Sequence, residues 1–73
     1  MLEIIRSQIA HLNSITGEEW FLFNYTRSSA PYALKSGIGQ TVIQGSKEDI
    51  HTYLRGAIEG INTFATKHNI KLV

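Results

Sequence analysis

From Ser46 onward the chain carries a helix signal that dictates much of what the rest must do. Ser46 is a good N-cap, Asp49 stands three residues later, and Glu48 and Asp49 suit the positive end of a helix. Ile50, Tyr53, Leu54, Ala57, Ile58, Ile61, Phe64 and Ala65 then recur at steps of three and four, tracing a wide apolar arc. Thr52, Arg55, Glu59, Asn62 and Thr66 occupy the other side. Lys67 and His68 suit the negative end, Asn69 can adopt the left-handed turn, and Ile70 can fold back as its hydrophobic contact. The spacing predicts a helix ending near His68. Lys71, Leu72 and Val73 then form either a short docked extension or a frayed end.

A helix with so wide an apolar face has to be covered, and 73 residues leave room for one domain and one core. The cover comes from the preceding segments. Leu2, Ile5, Ile9, Leu12 and Ile15 mark one face of a first helix, from about Leu2 to Ser14 or Ile15, with Gly17 as its left-handed terminator. Trp20 to Thr26 is aromatic and β-favouring, with Phe21, Phe23 and Tyr25 on one side and Trp20 and Leu22 on the other. Ser28 to Pro31 supply a turn, Tyr32 to Ser36 a second strand, Gly37-Ile38-Gly39 another turn or bulge, and Thr41 to Gln44 a third strand. Consecutive strands joined by short loops pair as an antiparallel meander. The expected fold is a two-layer α+β domain of order α-β-β-β-α, spanning residues 1–73.

The first strand is apolar on both sides, where a strand with one solvated face would alternate apolar with polar. If both helices share one sheet face, one aromatic set is left without a partner, and exposed apolar patches mark interaction surfaces. The set assigned to that role is Trp20 with Leu22, giving an expected homodimer through the sheet face or its edge. Gly56 and Gly60, four apart beside the apolar arc, each cost about 1 kcal/mol relative to alanine in a helix. Close approach of the first helix, or of a neighbouring copy, is the expected use. Trp20, Leu22, Gly56 and Gly60 are thus the interface candidates.

Chemical signatures are sparse. There is no cysteine, which removes disulfides, zinc-thiolate sites and thiol catalysis. Glu48 and His51 share the Glu-x-x-His spacing of di-iron bundles, but Glu3 and His11 are the only further ligands the first helix offers, and a capped helix start accounts for the pair. His11 and His68 have no neighbours suggesting a ligand set. Glu18 and Glu19 are adjacent, which in a strand sends them to opposite faces. Ser36 to Gln40 lacks the lysine and spacing of a P-loop. No catalytic residue, metal site or cofactor is expected, and the chain is read as not an enzyme.

Seven basic against six acidic side chains give a formal net charge of +1. The basic residues are dispersed, and only Arg27 and Lys35 lie on the expected strands, so nucleic acid is not an expected partner. The apolar runs are too short for a membrane span or a signal peptide, and the expected setting is cytoplasmic, with no membrane partner.

The run Gly45-Ser46-Lys47-Glu48-Asp49-Ile50-His51-Thr52-Tyr53-Leu54-Arg55-Gly56-Ala57-Ile58-Glu59-Gly60-Ile61 resembles the closing helix of small uncharacterised phage and prophage proteins. It shares a capped start, a Tyr-Leu pair, and a glycine before and after the next turn. The Trp20 strand and Tyr32-Ala33-Leu34 are in keeping with that group, so the resemblance extends over about two-thirds of the chain. It implies a bacterial or viral cytoplasmic setting and a small accessory protein that binds a host or phage protein, with no activity to transfer.

The sequence therefore favours a small interaction module that self-associates as a dimer and binds an unidentified protein partner. The competing expectation is a small-molecule binder or minor enzyme with a cleft between sheet and helices, using Tyr25, Tyr32, Tyr53 and His51 as polar groups.

Overall fold

The computed structural model describes residues 1–70; the expectation for Lys71, Leu72 and Val73 lies outside them. The order is α1 (Leu2–Thr16), β1 (Phe21–Asn24), β2 (Tyr32–Lys35), β3 (Thr41–Gly45) and α2 (Lys47–Lys67). The strands form one antiparallel sheet of order β1-β2-β3. This is the α-β-β-β-α architecture of the α+β class.

Each helix ends for a local reason. Gly17 closes α1 at φ 72°, with its N–H donating to the Asn13 carbonyl at 2.9 Å. Glycine adopts that conformation without the strain a Cβ would bring. Ser46 and Asp49 form a capping box at the start of α2: the Asp49 N–H donates to Ser46 Oγ at 3.2 Å, and the Ser46 N–H to Asp49 Oδ2 at 3.0 Å. At the other end Asn69 takes φ 56°, its N–H donates to the Thr66 carbonyl at 3.4 Å, and the Ile70 N–H donates to the Ala65 carbonyl at 2.8 Å. That pair of bonds is the Schellman motif the Asn-Ile sequence calls for.

Register decides which residues face the helices. Leu22 pairs with Leu34 and Leu34 with Ile43, so one row of branched side chains crosses all three strands on one face. Leu34 is fully buried, and Leu22 and Ile43 pack against the same cluster. The cluster is completed by Ile5, Ile9 and Leu12 of α1 and Ile50 and Leu54 of α2. Each fully buried side chain of this kind contributes about 1.5–3 kcal/mol. Beyond the strand pairs of the sheet itself, α1 packs along α2, and α2 packs on strands β2 and β3. Gln8 joins the helices laterally: His51 Nδ1 donates to Gln8 Oε1 at 3.0 Å, and Gln8 Nε2 donates to the His51 carbonyl at 3.5 Å.

The sheet and α2 differ in length. Twenty-one residues of helix run about 31 Å at 1.5 Å per residue. Strands of four or five residues run only about 13–17 Å at 3.3 Å per residue. The body is accordingly drawn out to 44 × 22 × 18 Å. The sheet can back only about half of α2, and the apolar arc continues past it.

Candidate functional site

Where α2 outruns the sheet, its apolar face borders an open groove of about 530 Å³. Leu12 and Trp20 form one wall, and Tyr53, Gly56, Gly60 and Phe64 form the other. The Trp20 wall is set by α1. After Gly17 turns the chain, Asn13 takes hold of the Trp20 backbone: its Oδ1 accepts from the Trp20 N–H at 2.7 Å and its Nδ2 donates to the Trp20 carbonyl at 3.2 Å. With its backbone fixed twice, Trp20 packs its ring on the core from just ahead of β1. The indole Nε1 is shut off from solvent and has no acceptor among the described residues.

The α2 wall stays open. Phe64 is 57% exposed and Tyr53 38%. Among the described residues, a Cβ built on Gly56 or Gly60 would meet nothing within 4 Å. The first helix therefore does not approach either glycine, which removes one of the two uses expected for them.

The outer face of the sheet is the second apolar surface. Phe21 and Phe23 are 40% and 44% exposed there. Tyr25 packs on Phe23 with ring centroids 4.6 Å apart, and Lys35 Nζ stands 5.3 Å from the Phe23 centroid and 5.7 Å from that of Tyr25. Ala33, between Phe23 and Gln44 in the register, is wholly covered.

The faces of β1 are thus the reverse of the sequence expectation. Trp20 and Leu22 pack against the core, while Phe21 and Phe23 point outward. Because β1 is apolar on both sides, its alternation contains no contrast that could orient it. The neighbouring strands decide, since Leu22 shares its face with Leu34 and Ile43. Of the four interface candidates, Trp20, Gly56 and Gly60 come together at the groove, and Leu22 goes to the core side. Phe21 and Phe23 were visible in the sequence as an apolar pair but carried no sign of facing solvent.

The polar groups considered for a cleft do not converge. Tyr53 borders the groove, Tyr32 packs on the core with Lys47 Nζ 5.7 Å from its ring centroid, Tyr25 lies beside Phe23, and His51 is engaged by Gln8. Among the described residues no three His, Cys, Asp or Glu side chains gather as a metal site. Nor is any described helix long and apolar enough to cross a membrane. Gly39 sits in a left-handed turn at φ 84°, its N–H donating to the Ser36 carbonyl at 2.8 Å, and the Ser36–Gln40 run is a β-turn between strands. Hydrogen bonds from the Ser46 backbone and then its side chain hold the Asp49 carboxyl below the usual aspartate value.

No family model, curated protein or solved structure matches the chain.

Proposed function

We propose that this chain is a small non-enzymatic interaction module that associates with itself and, as the resemblance in its closing helix implies, serves as a phage or prophage accessory protein in a cytoplasmic setting. The observation that carries the reading is the open groove bordered by Trp20, Gly56 and Gly60. Its walls are apolar, its glycines meet no other described residue, and a contiguous unpartnered apolar surface is what protein contacts consume. The aromatic outer sheet face adds a second such surface on which a further protein partner can dock.

The test is the mass of the wild-type protein by light scattering, from about 10 to 500 μM, the range where small interfaces dissociate. A mass rising toward twice the monomer supports the reading, and a monomer mass throughout rejects it. A second reading, an apolar small molecule held in the groove, is favoured by volume: about 530 Å³ falls within the roughly 300–1,000 Å³ typical of ligand pockets. Trp20 is the only tryptophan, so quenching or blue-shifting of its emission by a hydrophobic probe such as anilinonaphthalene sulfonate, in a protein that stays monomeric, would favour this alternative.

A further inference from the structure

We propose that two copies pair through α2, antiparallel about a two-fold axis level with Ile58, so that Gly56 meets the partner's Gly60 and Asp49 meets the partner's Lys67. This rests on the self-association reading and adds the surface and its geometry.

The argument begins with a coincidence of spacing. At 100° per residue, Asp49, Gly56, Gly60 and Lys67 fall within about 40° of one another on the helix. Asp49 and Lys67 are separated by about five full turns, and Gly56 and Gly60 by about one. Both pairs share one midpoint, at the level of Ile58. A two-fold axis through that midpoint exchanges the members of each pair, which is the self-complementarity an isologous contact requires.

Charge then selects the direction. Antiparallel packing sets the carboxylate of Asp49 against the partner's Lys67 at both ends of the contact. Parallel packing would set like charges together at both ends, and would also align the helix dipoles unfavourably. Asp49 is exposed, and the capping bond from the Ser46 N–H falls on Oδ2, so the carboxylate keeps acceptor capacity for a cation.

Sterics make the approach possible. Side chains at the middle of the contact would hold the helices apart, and at Gly56 and Gly60 there are none. Thr52, Tyr53, Thr63 and Phe64, all exposed, flank the glycines on the same side of α2. Phe64, 57% exposed in the single copy, supplies the largest apolar surface to be covered. A single helix pair is at the low end of interface sizes, so dissociation is expected in the micromolar range.

The experiment combines sedimentation with cross-linking. Gly60→Leu has open space among the described residues of the single copy and removes a helix-disfavouring glycine. The variant should melt no lower than wild type while its dimer weakens at least about tenfold, as loss of a central contact does. For direction, Thr52→Cys and Thr63→Cys chains are mixed and oxidised, the parent having no cysteine. Opposite chains in the antiparallel pair bring position 52 to position 63 on one edge, so the mixed disulfide should dominate. A wild-type dimer that Gly60→Leu leaves unchanged, or same-position disulfides in excess, overturns this geometry while self-association stands. A wild type that stays monomeric overturns both.

Discussion

Asn13 holds Trp20 by both backbone polar groups, accepting from its N–H at 2.7 Å and donating to its carbonyl at 3.2 Å. One amide side chain thereby replaces the pairing a strand would have given a residue just before β1, and fixes one wall of the groove. Asn13→Ala should destabilise the protein by about 1–3 kcal/mol, from two hydrogen bonds at about 0.5–1.5 kcal/mol each. Urea unfolding measures it, and Trp20 emission should shift to the red in the folded variant. An unchanged midpoint and spectrum would show that the clamp does not position the ring.

Gly45 is constrained by its neighbour. A Cβ there would stand 2.5 Å from Asp49 Oδ2 and 3.0 Å from Asp49 Cβ, so Gly45→Ala has to displace the capping carboxylate. The expected loss is about 1 kcal/mol, that of an N-cap. Because both substitutions act on the same box, Gly45→Ala and Ser46→Ala together should cost less than their sum. Additive losses in thermal melts would separate Gly45 from the cap.

The cap also imposes an acid dependence. The Asp49 carboxyl is held below its ordinary value by the Ser46 backbone bond and then by the Ser46 hydroxyl. A carboxylate with a depressed folded pKa contributes stability that is complete above the unfolded value of about 3.9 and is lost as the pH falls through the folded value. Wild type should therefore exceed Asp49→Asn in melting temperature at neutral pH, with the gap closing only below about pH 4. A gap that is constant down to the acid end would mean that the charge plays no part.

The two faces of the sheet should respond differently to truncation. Leu34 is fully buried, and Leu34→Ala should cost about 2–5 kcal/mol. Phe23, 44% exposed on the outer face, should cost under about 1 kcal/mol as Phe23→Ser, since part of its burial is only against Tyr25 and Lys35. Chemical denaturation of the two variants checks the contrast, and a larger loss at Phe23 would reverse the assignment of faces.

Local signals were the legible part of this fold. Gly17, Ser46 with Asp49, and Asn69 with Ile70 each announce a helix end by chemistry confined to a few residues, and each end lies within two residues of where they place it. The meander follows from short turns. The orientation of β1 was not legible, because Trp20, Phe21, Leu22 and Phe23 are apolar in succession and only cross-strand neighbours distinguish them. Of the groove, Trp20, Gly56 and Gly60 were each noticeable by residue type. What joins them is the excess of α2 length over strand length and the Asn13 clamp, both properties of the assembled molecule.

The unequal lengths of α2 and the sheet divide one continuous helix into halves of different tenacity. Ile50 and Leu54 are buried, and His51 is tied to Gln8 within the first half, whereas Ala65 is the buried residue of the second. Backbone amides after Gly60 should accordingly exchange with deuterium well ahead of those between Ile50 and Leu54, through fraying that leaves the rest intact. The end of the molecule bordering the groove can then reshape itself around whatever it meets, while the capped end keeps the architecture.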